Sequence, residues 1–239
     1  MVGSGVATVN ASRPKATLRP PLSREAIADT AMRLSASEPT TAITLVRLGR
    51  ELGADPTALY RHFRNRDELM RALADRVLGE VVGAWSSCGE WRADLRSAGR
   101  LLRGTMLRRP ALAAELGTLF TGGPHERRGF ALLAAVFEAA GFERADVPMR
   151  VRVFAELVLS HVVISASLLA RPQREIEIQM ALASDLYGVR RGLSASGYQE
   201  ATFERILDTH ISGLEHELSA VRETDATVQQ STPTQGGTT

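Results

Sequence analysis

Of 239 residues only one is cysteine, Cys88, so no disulfide can form within the chain and packing alone must hold the fold. That scarcity suits a reducing cytoplasm, the expected location. Lysine is equally scarce: of the 29 Lys+Arg residues only Lys15 is lysine, a bias to attribute to GC-rich coding before any function. Met1 to Asn10 has neither a basic start nor a long apolar run, so a signal peptide is not expected. The most lipid-like stretch, Val153 to Ala170, carries Glu156 and His161 and reads as a buried helix, with no membrane partner expected. Strand alternation and hairpin signals are missing throughout. So are a Gly-rich phosphate loop, a pair of His ligands at i and i+4, and a Gly-x-Ser-x-Gly elbow. His125 with Glu126 is a lone pair at a helix start, and Cys88 has no activating neighbour. Catalysis, a bound metal and a cofactor are therefore not expected. Finally, 29 basic against 27 acidic residues leave a net charge of only +2, too little to argue nucleic-acid binding from the whole chain.

What is present is helix. Met1 to Pro21 is rich in small polar residues and proline and reads as a disordered arm. Its Arg13, Lys15 and Arg19 suit either a solubilising tail or a contact with DNA backbone or minor groove. Residues 222 to 239 read as a low-complexity, disordered tail. Between them Ser23 caps a first helix with the buried stripe Ile27, Ala31 and Leu34. Further helices are expected over about 91–107, 110–120, 125–140, 147–169 and 200–221, punctuated by Pro110, Gly122-Gly123-Pro124 and Gly141. Residues 171–198 suit either an extra helix or a mobile loop. The fold class is all-α: an N-terminal three-helix domain over 22–80 and a larger helical domain over 81–221.

The stretch Thr44 to Leu69, TLVRLGRELGADPTALYRHFRNRDEL, carries the function. Leu45, Leu48 and Leu52 recur at helical spacing behind Thr44, a natural N-cap, so a short helix should run over about 45–52. Gly53 ends it, Asp55 caps a second helix, and Pro56 takes that helix's first position. The second helix buries Leu59 and Phe63 and leaves Thr57, Tyr60, Arg61 and His62 for other work. A third begins near Arg66, and residues 61–66 hold Arg61, His62, Arg64 and Arg66 with no acid. Two short helices around a Gly turn, with a polar, aromatic and basic outer face, describe a helix-turn-helix at about 44–63 whose second helix can enter a DNA major groove.

Through Thr44, Leu48, Glu51 to Gly53, Leu59 to Phe63 and Asn65 to Leu69, this segment resembles the DNA-binding domain of the tetracycline-repressor (TetR) family of bacterial regulators. Gly49 stands where that family usually has Ala, a cost of about 1 kcal/mol unless close packing requires it. Asp55 stands where Ser is frequent and reads as a cap. Base reading is expected from Thr57, Ala58, Tyr60 or Arg61, with His62 beside them, and phosphate contacts from Thr44 and Arg66. The DNA partner would be a double-stranded inverted-repeat operator, one half-site for each of two identical helices.

Arg108 to Leu116 and Gly129 to Phe142 resemble the family's ligand-binding body. Candidate pocket residues are Leu102, Met106, Leu116, Phe120, Phe130, Leu133, Phe137, Phe154, Leu157 and His161, the last a lone polar group in an apolar run. They imply a small apolar or amphipathic effector. The last helix carries a continuous stripe of Phe203, Ile206, Leu207, His210, Ile211, Leu214, Leu218 and Val221. Together with the 147–169 helix, that stripe is expected to form a four-helix homodimer interface. The reading is a sequence-specific transcriptional regulator, a repressor released from its operator by a small molecule. Two rivals remain open: a DNA-binding regulator whose body senses a protein partner, and a helical ligand-binding or catalytic protein that has lost DNA binding.

Overall fold

In the computed structural model the residues described are 22–38, 40–169, 171–187 and 194–231. The arm over 1–21 and the chain beyond 231 lie outside them. Among the described residues there are ten helices and no strand.

Three short helices and the start of a fourth make the first unit. Ser23 caps α1 (Arg24–Ser37), its Oγ accepting from the Ala26 amide at 3.1 Å. Thr44 does the same for α2 (Leu45–Leu52), accepting from the Arg47 amide at 3.2 Å. Gly53 then turns the chain in the left-handed region at φ 61°, where a side chain would be strained. α3 (Pro56–Leu59) follows and is shorter than expected. Beyond Leu59 the chain tightens into i→i+3 turns, with the Tyr60, Arg61 and His62 amides bonding to the carbonyls of Thr57, Ala58 and Leu59. α4 (Arg66–Ala84) is capped by Asn65, whose side chain accepts from the Glu68 amide at 2.8 Å while Glu68 accepts from the Arg64 amide at 2.7 Å. Ile27, Leu48, Leu59, Phe63, Leu69 and Leu73 form the common core. Gly49 belongs to this packing: a Cβ there would lie 2.8 Å from the Ala54 carbonyl oxygen.

The remaining helices build the body: α5 (Trp91–Leu107), α6 (Pro110–Leu116), α7 (Pro124–Ala140), α8 (Val147–Leu169), α9 (Gln173–Tyr187) and α10 (Ala195–Ser231). Of residues 171–198 the part that is described is helix, and α10 continues past the expected end at 221 to Ser231. α8 is long and apolar enough to cross a bilayer by composition, yet Val151, Phe154, Val158, Val162 and Ala166 are all 1% exposed or less, packed among α5, α6, α7 and α10. It is the central core helix. At 19 residues and 1.5 Å per residue, α4 spans about 28 Å and belongs to both units. Its first turns close the helix-turn-helix core and its later turns pack on α5, α6 and α7.

The stripe on α10 corrects an expectation. Phe203, Leu207, Ile211, Leu214 and Leu218 are all at most 8% exposed within a single chain, because α10 lies on α5 and α8. Its acidic side is engaged as well. Arg96 pairs with Asp208 at 2.6 Å and Arg100 with Glu204 at 2.5 Å, while Arg92 meets Glu215 and Arg103 meets Glu200. Each exposed pair is worth little alone; together, arginines every third or fourth residue on α5 fix the antiparallel register of α10. Most of the stripe expected to meet a second subunit, from Phe203 to Leu218, is therefore core of its own protomer, while Val221 at its end is exposed.

Candidate DNA interface and ligand cavity

Of the residues expected at DNA, all but two are exposed. Thr44, Thr57, Tyr60, Arg61 and Arg66 are exposed; Ala58 and His62 are partly covered. Thr57 donates its hydroxyl to Asp55 at 2.7 Å, which leaves a methyl group and a lone pair for a base. This bond and the Thr57 amide hold the Asp55 carboxyl below its ordinary value. Tyr60, 50% exposed, has its ring free of the core that Leu59 and Phe63 enter. Arg61 and Arg64 are exposed and make no ion pair among the described residues. Arg66 is different: its guanidinium meets Glu115 of α6 at 2.5 Å, so a phosphate must compete with that carboxylate. Sequence reasoning missed Arg24. From α1 it donates to the His62 carbonyl at 2.7 Å and to Glu68 at 2.6 Å, and lies 4.2 Å over the Phe63 ring. It holds the end of the recognition segment in place, and no local pattern links it to residues some forty positions away.

A cavity of about 560 Å³ opens in the body between α4, α5, α7 and α8. Of the candidate pocket residues, Leu102, Phe120, Phe130, Leu133 and Phe154 line it, joined by Val81, Val82 and Trp85 from the α4 end. Met106, Leu116, Phe137, Leu157 and His161 do not. Phe137 is 0% exposed and packs edge-on against Phe142 at 5.8 Å. Met106 and Leu116 are core, at 4% and 3% exposed. His161 is a core histidine: Ser165 lies 3.1 Å from its Nε2 and donates to Gln199 at 2.9 Å, tying α8 to the start of α10. Burial, followed by the Arg103 charge, pushes the His161 imidazole below its ordinary value.

The cavity's polar groups are largely spoken for. Arg152 pairs with Glu156 at 2.5 Å and lies 4.6 Å over the Phe120 ring. Glu126 accepts from the Thr121 and Gly122 amides at 3.2 and 2.7 Å, closing the loop before α7. His125 Nδ1 lies 2.9 Å from Asp75 Oδ2. Asp75, on α4, also accepts from the Glu126 amide at 3.0 Å, so a carboxylate of one helix caps the N-terminus of another. Burial alone would raise the Asp75 carboxyl; hydrogen bonds from the Glu126 amide, the His125 ring and amide, and Thr121 hold it below its ordinary value instead. A carboxyl lowered on folding stabilises above its unfolded pKa, so this clamp is present at neutral pH and lost as the solution is acidified. Among the described residues no group of three His, Cys, Asp or Glu side chains is placed to hold a metal.

A helix-turn-helix on a helical body, joined by one long shared helix, defines the class of a DNA-binding transcriptional regulator. The model of "Bacterial regulatory proteins, tetR family" matches residues 27–73. A transcriptional regulator of the helix-turn-helix type from Saccharopolyspora erythraea is 30% identical over 168 residues, 70% of each chain. The class C tetracycline repressor protein of Escherichia coli is 26% identical over 201 residues, 81% of this chain and 91% of that one. The crystal structure of a transcriptional regulator from Streptomyces coelicolor A3(2) superposes with a TM-score of 0.66 at 29% identity, covering 82% of this chain and 98% of that one. The chain belongs to the TetR family of bacterial transcriptional regulators.

Proposed function

We propose that this regulator is a repressor, held on an inverted-repeat operator as a homodimer and released when a small apolar or amphipathic molecule enters the body. The observation that carries the reading is that α4 serves two sites. Its first residue, Arg66, stands beside the DNA-facing edge, and its Leu78, Val81 and Val82 form a wall of the 560 Å³ cavity. An occupant pressing on that wall moves the helix that seats the recognition segment. In a dimer this changes the distance between two segments that must fit successive grooves, so ligand and operator favour different states. Tyr60, Arg61, Thr57 and Ala58 then read bases, with His62 beside them, while Thr44 and Arg66 meet phosphate. The kinship with a protein named as a tetracycline repressor supports the sign of control. A body that sensed only a protein partner would have no use for a cavity of this size and lining.

The two protomers are proposed to meet through the outer faces of α8 and α10. On α8, Met149 and Val153 are 67% and 45% exposed, and on α10 Val221 is 56% exposed. Beside the first two, a cleft of about 320 Å³ between the helices is bounded by His210, Leu214 and Glu217. His210 Nε2 is buried there with no hydrogen-bond partner. A side chain of a second copy would fill such a cleft.

Ala155 lines the cavity and is only partly covered. Ala155→Trp is expected to fill it. In a thermal-shift screen of apolar and amphipathic compounds, those that raise the Tm of the unmodified protein should also release it from operator. The Ala155→Trp protein should bind operator within about threefold of normal and ignore the same compounds, since each 1.4 kcal/mol is a factor of ten. Compounds that stabilise the protein without disturbing the operator complex would contradict the proposal.

A further inference from the structure

Among the described residues of the first unit, only two large apolar side chains stand exposed, Tyr60 at 50% and Val46 at 61%. Tyr60 belongs to the recognition segment. Val46 belongs to the helix before it, two residues after the Thr44 cap. The basic side chain next to it is turned away. Arg47 pairs with Glu38 at 2.8 Å and donates to the Thr41 and Ala42 carbonyls at 3.4 Å, so it lies back on the chain that precedes α2. The first turn of α2 therefore offers solvent the exposed Thr44 cap and a bare isopropyl group.

Gly49 fixes where that group stands. A Cβ there would lie 2.8 Å from the Ala54 carbonyl oxygen and 3.3 Å from Cγ and Cδ of Pro56, so α2 meets the first residue of α3 at this point. Val46, three residues earlier, is one turn away on the same face of α2. It flanks the start of α3, where Thr57 is exposed. A valine in a helix keeps essentially one χ1 rotamer, so its two methyl groups hold their direction before any partner arrives. Arg61 and Arg64, exposed and in no ion pair among the described residues, supply the charge that draws a polyanion to this unit.

We propose that Val46 reads the 5-methyl group of a thymine in each operator half-site, a base contact made by α2 in addition to those of the recognition segment. This rests on the operator-binding reading above. An aliphatic side chain has nothing to offer a phosphate or a base nitrogen. The thymine methyl is the apolar feature that a base pair presents in the major groove. Bringing the two together removes both from water, and the stiffness of the valine side chain keeps the ordering cost small. Cytosine in the same place carries no methyl, so the contact selects T·A over C·G without a hydrogen bond.

The test uses the full-length protein and a duplex that it selects from a random-sequence pool. Each thymine in turn is replaced by deoxyuridine in both half-sites, which deletes one methyl from the groove and leaves the base pairing intact. At the thymine facing Val46, the unmodified protein should lose about fourfold in affinity per half-site, the worth of one buried carbon. Val46→Ala should bind the all-thymine duplex more weakly by about the same factor and lose no more than about twofold further when that one thymine becomes uridine. At every other thymine it should keep the penalties of the unmodified protein. Val46→Ile, which retains the apolar contact, should keep the penalty at all positions. Val46 is exposed, so neither change disturbs the core. A purely structural Val46 gives a different pattern, in which Val46→Ala weakens every duplex alike and leaves each uridine penalty as it was. That pattern, or the absence of any uridine penalty in the unmodified protein, overturns the assignment to Val46 while operator binding stands. If no duplex is selected, the operator-binding reading falls and the thymine contact with it.

Discussion

Replacing Met149 and Val153 together with aspartate is expected to turn the dimer into monomers and to weaken operator binding by about a hundredfold or more, because linked modules gain factors of 10² to 10⁴ from effective concentration. Both side chains stand out from α8 beside the α8–α10 cleft, at 67% and 45% exposed. Substitution therefore leaves the protomer's own core intact. Buried in a dimer interface, two unpaired carboxylates would face a desolvation cost that association cannot meet. Sedimentation velocity gives the mass, and circular dichroism shows that helix content is kept. A double variant that still sediments as a dimer with full operator affinity would remove these faces from the interface. Charges at Leu207 or Leu214, 0% and 4% exposed, give a different result: they enter the protomer core and unfold the body.

The recognition segment should show the second large effect. Tyr60→Ala is expected to cost about 1–3 kcal/mol on a specific site if the ring or its hydroxyl touches a base, and much less on unrelated DNA. Arg66→Ala should weaken binding to every sequence alike and flatten the salt dependence by about one unit of slope. Glu115→Ala should act oppositely, since it frees Arg66 from a carboxylate 2.5 Å away. Fluorescence anisotropy on a specific and a scrambled duplex, at two salt concentrations, separates the three. Equal losses on both duplexes for Tyr60→Ala would place that residue on phosphate.

Much of this architecture is written in short-range signals. Ser23, Thr44 and Asp55 stand where the caps are needed, and the limits 45–52, 91–107 and 147–169 follow from apolar spacing and punctuation. What could not be read locally depends on partners distant in sequence. A five-turn stripe on α10 announces burial but not by what; the matching arginines lie about a hundred residues earlier on α5. Periodicity also gives a face without a depth. Phe130, Leu133 and Phe137 follow one another along one side of α7, yet the first two border the cavity and the third, a turn further on, is sealed against Phe142. His125 looked like half of an idle pair because Asp75, fifty residues away, gives no local sign of capping α7. Gly49 was legible as an exception, and its reason, the close approach of Ala54, came only with the packing.

Selection of duplexes from a random-sequence pool by the purified dimer tests the central claim most directly. The account predicts enrichment of one inverted repeat, with half-sites about one helical turn apart or a little more, two protomers per duplex, and loss of that enrichment in the Tyr60→Ala, His62→Ala, Arg66→Ala triple variant. A pool that stays random after repeated rounds, or one that the triple variant enriches equally well, would contradict it.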